Sequence, residues 1–370
     1  MAYNVFSEFG RTLKTNSEDY LKGAVEAVPH SSVLVGQLKK KAHIRTNMGG
    51  LNENWKVRKG RHGLAKITEA QAFNMTRTNL YDQAQLSFCA GYRIGDAITE
   101  REELLNKFDK TRLINVWGGM LDQLKDDFLT GFNKKLYQNG ESATYADDVH
   151  GLETWFQLSS ATIATGVSGS PVIAAAAHGT DTYAGIQFAA SYTPTGGSAN
   201  YYWRPTMISD ATSGAFGTGG WKTGNAYKIF DRACVEHSYK NKGKFPQLGI
   251  ISTTWYHLLR LSFLSKESIV VNRPGEVKED NDDFGFRHTQ FNGVPVYPEP
   301  DDWPTMAQGG AQGCYLLNLD QVYLDFLGDW FNVHIDEDPL AGLMKVLLVT
   351  SYPRLWTKSP IFHTKIVDRA

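Results

Sequence analysis

The chain has 370 residues, of which 42% are apolar, and its 38 Lys and Arg against 39 Asp and Glu leave a formal net charge of −1. This is a globular balance with ample material for a core, and the length allows two or three domains. Near-neutral charge argues against a dedicated nucleic-acid-binding protein, and no apolar run approaches the about 18 residues of a membrane span.

Charge is nevertheless segregated along the chain. After a predicted short helix over 17–28, the segment from Lys39 to Arg77 carries ten basic residues and only two acids, Glu53 and Glu69. Its local charge is therefore +8, and the remainder of the chain carries −9. Such asymmetry indicates that the basic segment meets an acidic protein surface, for example on another copy of the chain.

The basic segment is punctuated by glycines and leads into a strand pattern. Residues 84–92 alternate apolar and polar side chains, which is the period of a half-buried strand. Residues 40–92 are therefore predicted to form a long two-stranded excursion with an exposed tip.

The next predicted element is a long amphipathic helix over 100–138. Thr99 and Glu102 have the spacing of a capping box, and apolar residues then recur every three or four positions. The predicted core positions are Leu113, Trp117, Met120, Leu124, Phe128, Phe132 and Leu136. At about 1.5 Å per residue such a helix would be about 57 Å long, and Gly118 and Gly119 indicate a bend or a point of close packing.

The remainder is predicted to mix helices and strands. Residues 140–224 are rich in Gly, Ala, Ser and Thr, and a second amphipathic helix follows over 225–239. A buried strand over 245–252 leads into a helix over 253–264. Strand-like segments then cover 289–298, where Asn292 and Gly293 signal a hairpin turn, as well as 314–327 and 343–356. The fold class is therefore α+β.

Catalytic and metal-binding motifs are largely missing from the sequence. There is no P-loop, and the HExxH, GxSxG and CxxC patterns do not occur. The glycine-rich stretch 214–220 and the calcium-like stretch 280–285 lack the residues that phosphate or calcium needs, so both are expected to be loops. His237 is expected to be a packed core histidine, and Cys89, Cys234 and Cys314 are expected to be free thiols in a reducing compartment. No cofactor, metal site or catalytic residue is predicted.

Several phrases, in their order along the chain, resemble the major capsid proteins of tailed bacteriophages with the Hong Kong 97 fold. They are GLETWF at 151–156, TYAGI at 182–186, YYWRP at 201–205 and FNGVPVYPEPD at 291–301. The resemblance covers nearly the whole chain. It implies an N-terminal arm at 1–40, an extended β-hairpin loop at 41–98, a long spine helix of the peripheral domain at 99–144, an axial domain at 145–320 with a Gly/Ser/Thr-rich insertion near 157–224, and a return to the peripheral domain at 321–370.

The same resemblance implies a non-enzymatic coat protein of the virion, synthesised in the host bacterial cytoplasm. Its first partner would be itself, in the hexamers and pentamers of an icosahedral shell. A separate scaffolding protein, a portal protein and packaged double-stranded DNA, bound without sequence preference, would be the others. No membrane partner is expected.

The basic excursion needs a partner surface, because an isolated two-stranded ribbon is marginally stable in water. We expect Trp55 and five basic residues, Lys56, Arg58, Lys59, Arg61 and Lys66, to contact a neighbouring copy. The candidate acidic partners are Glu279, Asp280, Asp282, Asp283, Asp336, Glu337 and Asp338. A solvated surface loop is the alternative interpretation.

Two other functions stay open at this point. One is an encapsulin-type compartment, which assembles without a scaffold and encloses enzymes. The other is a carbohydrate-active enzyme that uses a carboxylate pair and a tryptophan platform, with Asp301 and Asp336 as candidate carboxylates. The sequence brings no such pair together.

Overall fold

The computed structural model describes residues 32–50, 52–58, 81–99, 110–140, 148–156, 182–187, 203, 205–209, 221, 225–267, 279–281, 287–299, 313–337 and 344–367. Its helices are α1 Val33–Lys40, α2 Lys110–Lys135, α3 Leu152–Phe156, α4 Ala226–Lys240 and α5 Thr253–Glu267. Its strands are β1 Ile44–Arg45, β2 Asn52–Arg58, β3 Tyr81–Ser87, β4 Tyr92–Thr99, β5 Thr182–Tyr183, β6 Ile186–Gln187, β7 Thr206–Ser209, β8 Leu248–Ser252, β9 Glu279–Asn281, β10 Arg287–Phe291, β11 Val294–Glu299, β12 Gly313–Leu317, β13 Val322–Phe326, β14 Asn332–Glu337, β15 Met344–Ser351, β16 Pro353–Thr357 and β17 Thr364–Val367.

A seven-stranded mixed sheet forms the largest unit of the described chain, in the order β7-β17-β12-β8-β11-β10-β9. Alternate residues of its central strands point to opposite faces, as strand geometry requires. Ile251, Leu316 and Ile366 belong to one core cluster together with α4 and α5. Ile250 and Leu317 belong to a second core cluster, which also contains residues from α3 and from the C-terminal part of α2. The sheet is therefore buried on both faces.

The last strand of the chain lies inside this sheet. β17 pairs in parallel with β7 and antiparallel with β12. The segment 321–370, which the resemblance assigned to a return to the peripheral domain, therefore contributes one strand to the sheet of the preceding segment.

Two three-stranded sheets contain most of the other strands. β1 pairs in parallel with β13, which pairs antiparallel with β16. β15 lies between β14 and β4 and is antiparallel to both. These sheets join residues that are far apart in sequence, so the two ends of the interval 41–98 are each paired with strands from the C-terminal part of the chain.

The predicted two-stranded excursion is confirmed as a hairpin, but the paired strands are shorter than predicted. β2 and β3 are antiparallel, from Asn52 opposite Ser87 to Arg58 opposite Tyr81. The alternation predicted over 84–92 holds for Ala84, Leu86 and Phe88, which are buried, but the strand ends at Ser87 and Ala90 is exposed. The flanking residues of the interval 41–98 belong elsewhere, because β1 and β4 pair with other strands. The residues between β2 and β3 lie outside the described part.

The long helix is confirmed over Lys110–Lys135, which is 26 residues. Thr99 is the last residue of β4, so it is not the helix cap that its spacing with Glu102 predicted, and residues 100–109 lie outside the description. Leu124, Phe128, Phe132 and Leu136 are buried as predicted, and Met120 is half-buried. The side chains of Leu113 and Trp117 are not described. No described atom approaches the position of a Cβ on Gly119, so close packing at that residue is not observed.

Several local predictions are confirmed. All six residues predicted on the apolar face of α4 are buried: Ala226, Ile229, Phe230, Ala233, Cys234 and His237. β8 leads directly into α5, and β10 and β11 form a hairpin at Asn292 and Gly293. Both turn residues have positive φ, of 51° and 77°, which suits Asn and Gly. Among the described helices, none is long and apolar enough to cross a membrane.

The end of the predicted N-terminal arm is part of the core. Residues of α1, including Val33, Leu34, Val35 and Leu38, are buried in the chain's own interior. The Ser32 hydroxyl accepts a hydrogen bond from the Val35 backbone N–H and caps the helix. The predicted helix over 17–28 lies outside the described residues.

Candidate functional site

The base of the β2–β3 hairpin packs against its own chain. Trp55 is half-buried, its ring centroid lies 4.9 Å from that of Trp356, and its indole N–H donates to the Lys358 carbonyl at 2.9 Å. Val57, Ala84 and Leu86 belong to the same core cluster as α1 and β13. The hairpin base is therefore held by contacts within the subunit, and Trp55 serves those contacts.

A buried carboxylate ties this base to the sheet beneath it. Asp325 on β13 is fully buried and accepts two hydrogen bonds from the Arg45 guanidinium, each at 2.7 Å. It also accepts from an Arg354 guanidinium nitrogen at 2.8 Å and from the Trp356 indole N–H at 2.8 Å. A buried charge is tolerated only when it is paired and hydrogen-bonded, and Asp325 is both.

Arg354 links the Asp325 carboxylate to the hairpin. It is only 2% exposed, and it reaches the Glu53 carboxylate of β2 at 3.5 Å and the Leu86 carbonyl of β3 at 3.4 Å. Its guanidinium carbon lies 4.0 Å from the centroid of the Phe88 ring. We call the group Arg45, Glu53, Asp325 and Arg354 the hairpin clamp.

The clamp raises the pKa of Arg45 above its usual value. Burial alone lowers that pKa, but the hydrogen bonds and negative charge of Asp325, with a smaller contribution from Glu53, outweigh burial. The guanidinium is thus fixed in its charged form. The clamp is a structural ion network that joins the base of the hairpin to β1, β13 and β16.

The basic contact candidates divide between the described and undescribed parts of the hairpin. Lys56 and Arg58 are exposed on β2. Lys59, Arg61 and Lys66 lie outside the described residues, so their contacts stay a prediction.

The acidic contact candidates lie on two edge strands or outside the description. Glu279 and Asp280 are on β9, the terminal strand of the large sheet, and Asp336 and Glu337 are on β14, the edge of a three-stranded sheet. Their side chains are not described. Asp282, Asp283, Asp338 and Asp301 lie outside the described residues. No observation therefore brings together the carboxylate pair that the enzyme alternative requires.

A second buried ion pair, not predicted from the sequence, joins Glu153 on α3 to Lys365 on β17. Lys365 is fully buried and its ammonium contacts the Glu153 carboxylate, which also accepts from the Tyr315 hydroxyl. Burial lowers the pKa of Lys365, and the Glu153 charge opposes that change. An isolated charge inside a short apolar strand, as in HTKIV at 363–367 or YLDF at 323–326, is the sequence signal for such pairs.

A third buried carboxylate, Glu299, joins three elements. It ends β11, and one of its oxygens lies 3.1 Å from the Tyr137 hydroxyl beyond α2 and 3.4 Å from the Val33 backbone N–H that starts α1. Burial raises the pKa of Glu299 to about 7, although hydrogen bonds from Tyr137, Val33 and Asn133 act in the opposite direction. In the same contact, burial and the Glu299 charge raise the pKa of Tyr137.

We expect Glu299→Gln to stabilise the protein at high pH. Because the pKa of Glu299 is raised on folding, the native state binds its proton more tightly, and this contribution is lost as pH rises from about 4.5 to about 7. Relative to wild type, the free energy of unfolding of the variant should increase by up to about 3 kcal/mol between pH 5 and pH 8. Chemical denaturation at these pH values measures this difference. A constant difference would contradict the prediction.

Neither the histidine nor the thiols considered in the sequence form a reactive group. His237 is 2% exposed, its Nδ1 lies 3.2 Å from the Thr364 hydroxyl, and burial lowers its pKa to about 4. This confirms a packed core histidine. All three cysteines are free thiols, and burial raises the pKa of Cys89 to about 11. Within the described ranges, no group of three or more His, Cys, Asp or Glu could hold a metal ion.

Comparison with known proteins gives a match in structure and none in sequence. No protein-family model matches the chain, and no curated protein matches its sequence. A chain of the cyanophage A-1(L) capsid asymmetric unit superposes with a TM-score of 0.58 at 15% identity, covering 90% of this chain and 92% of that one. The described chain therefore shares its mixed helix-and-strand fold with a phage capsid structure.

Two further capsid structures match with lower scores. The mature capsid of bacteriophage PhiM1 gives a TM-score of 0.48 at 9% identity and covers 88% of this chain and 85% of that one. The capsid of the Myoviridae phage XM1 gives 0.47 at 9% identity and covers 89% of this chain and 90% of that one. The fold comparison rests on the cyanophage chain.

Proposed function

We propose that this chain is a major capsid protein, which assembles with copies of itself into the icosahedral head shell of a tailed phage. The observation that carries the proposal is the shared fold with a cyanophage capsid chain over 90% of the length. The role is structural: the buried charged groups of the described residues are fixed by ion pairs and hydrogen bonds inside the fold.

The hairpin is the element that we assign to contact between subunits. A two-stranded ribbon is marginally stable unless a surface supports it, and the hairpin clamp supports only its base. We propose that the tip, which carries Lys59, Arg61 and Lys66, is supported by an acidic surface of the neighbouring subunit. Weak exposed pairs of this kind accumulate when many copies assemble.

We propose an assignment of the described elements to Hong Kong 97 domains, with adjusted boundaries. We assign α2 and the β14-β15-β4 sheet to the peripheral domain, with α2 as its spine helix. The seven-stranded sheet with α4 and α5 becomes the axial domain, and it includes β17 from the end of the chain. The N-terminal arm then ends before α1, because α1 is buried in the core.

The partners follow from this assignment and belong to the proposal. They are further copies of the chain in hexamers and pentamers, a separate scaffolding protein, a portal protein and non-specifically packaged double-stranded DNA. The mature location is the virion, after synthesis in the host bacterial cytoplasm.

Electron microscopy of the purified full-length chain tests the proposal, alone and co-expressed with its scaffolding protein. We expect closed icosahedral shells with hexameric and pentameric capsomers. Small oligomers in both preparations would contradict the assignment. Scaffold-independent shells that enclose an enzyme and no DNA would instead identify an encapsulin-type compartment.

A further inference from the structure

Two lysine-rich segments that are about 200 residues apart in sequence meet at one carboxylate. Lys39, Lys40 and Lys41 lie at the C-terminal end of α1, and Lys242 and Lys244 lie in the turn after α4. The Lys41 ammonium is 3.5 Å from one Asp320 oxygen, and the Lys244 ammonium is 3.7 Å from the other. We call these five lysines the lysine platform.

Hydrogen bonds fix the positions of the two segments that carry the lysine platform. His43 Nδ1 lies 2.8 Å from the Leu319 carbonyl oxygen and 2.9 Å from that of Val322, which fixes the end of α1 against the short 3₁₀ turn that carries Asp320. The Gln247 side chain donates to Asp320 at 2.9 Å, so the turn after α4 is attached to the same residue. The platform is therefore a built surface and not a chance approach of two loops.

The platform has a strong positive charge. All five lysines are exposed, and Asp320 contacts two of them, Lys41 and Lys244, so this surface carries more positive than negative charge. Burial acts to raise the pKa of Asp320, but the Gln247 hydrogen bond and the charges of Lys41 and Lys244 lower it overall. Asp320 is therefore ionised. It holds the nearby lysine side chains in position, and its single negative charge does not cancel their positive charge.

Two exposed aromatic rings accompany the lysines after α4. Tyr239 is 80% exposed and Phe245 is 50% exposed, and they flank the segment that contains Lys242 and Lys244. Single exposed apolar side chains are common, so these two rings matter here only because they flank the lysines in sequence. Lysine and tyrosine are among the side chains that contact the phosphates and sugars of duplex DNA.

We propose that the lysine platform, with Tyr239 and Phe245, is a sequence-independent binding site for the phosphate backbone of duplex DNA. A protein partner is the less favoured occupant, because lysine is a common phosphate ligand and Lys39, Lys40 and Lys41 lie at the end of α1, outside the hairpin that we assign to contact between subunits. This inference rests on the proposed capsid function, since the platform would then face the packaged genome and identify the inner surface of the shell.

The test measures binding of the full-length chain to a fluorescent duplex of about 20 base pairs and arbitrary sequence, at several salt concentrations between about 50 and 200 mM. We expect Lys242→Ala/Lys244→Ala to weaken binding about tenfold at low salt. The slope of log affinity against log salt should fall by about 2, because two phosphate contacts are lost. Lys39→Ala/Lys40→Ala should act in the same direction and provides a second variant.

The matched control is Lys228→Ala, an exposed lysine at the opposite end of α4. It should leave both the affinity and the salt slope unchanged. The proposal is overturned if both double variants, folded as judged by thermal melting, bind DNA with the wild-type affinity and slope, or if the control loses as much affinity. Shells that no longer form while DNA binding is unchanged would assign the platform to a protein contact.

This outcome is separable from the test of the proposed function. Normal shells with unchanged DNA binding in the variants would reject the platform and keep the capsid assignment. If DNA binding depends on the platform but no shell forms when the scaffolding protein is co-expressed, the platform is supported and the capsid assignment is contradicted.

Discussion

Asp325→Asn is expected to lower the free energy of unfolding by about 3–5 kcal/mol, because it leaves two guanidinium groups without their shared carboxylate. Asp325 is fully buried and Arg354 is 2% exposed, so neither water nor another acid can replace the lost charge completely. Glu53 approaches Arg354 at 3.5 Å and Arg45 at 3.8 Å, which leaves only weak compensation. Chemical denaturation of wild type and variant measures the loss.

The control for this variant is Asp329→Asn. Asp329 is exposed, and its contact with the Asn47 side chain at 3.1 Å is also exposed, so we expect a change within about 0.5 kcal/mol.

Hydrogen exchange gives a local readout: backbone amides of β2 and β3 should exchange faster in Asp325→Asn, because the clamp no longer holds the hairpin base. Equal denaturation midpoints for the two variants would refute the role of the clamp.

The clamp also makes a link between stability and assembly. If the hairpin contacts a neighbouring subunit, loss of the clamp lets its base adopt many orientations before assembly. Ordering it again on assembly costs conformational entropy. Asp325→Asn should therefore reduce shell yield more than its loss of stability alone predicts.

The second large effect is expected for Lys365→Met, which should cost about 3–5 kcal/mol of unfolding free energy. The substitution fills the space of the lysine chain but leaves the Glu153 carboxylate buried, at 6% exposure, with the Tyr315 hydroxyl as its remaining donor among the described residues. Removing one member of a buried pair is strongly destabilising because the remaining charge is uncompensated. Denaturation curves at neutral pH measure the loss.

A double variant separates the stranded charge from a simple packing defect. Lys365→Met/Glu153→Gln removes both charges, and the Gln oxygen can still accept from Tyr315. We expect it to recover more than half of the lost stability, since neutral replacements of a buried pair are often tolerated. A double variant no more stable than Lys365→Met would show that the loss comes from packing.

Elements with local signals can be predicted from the amino-acid sequence. The apolar face of α4 follows a period of 3.6 residues, and the buried residues of β3 from Ala84 follow a period of two, so both could be assigned from spacing. Asn292 and Gly293 adopt the positive φ angles that their residue types favour. The basic character of the hairpin and the order of the capsid-like phrases can also be read from the sequence.

The capping box shows where local signals fail. Thr99 has the spacing of a helix cap, yet it is paired with Met344 at the end of β4. A ladder of backbone hydrogen bonds with β15 decides the state of these residues, and this ladder depends on a strand about 250 residues away. Local propensity is a weak signal against such tertiary pairing.

The long-range partners, in contrast, follow from the three-dimensional arrangement of the strands and helices. The clamp joins Arg45 to Asp325, the second pair joins Glu153 to Lys365, and the platform joins Lys41 to Lys244 through Asp320. Backbone pairing is nearly independent of side-chain identity, so the sequence does not state that β17 lies between β7 and β12. Local periodicity fixes which face of an element is buried, whereas the charged groups that meet there are selected only when distant strands come together.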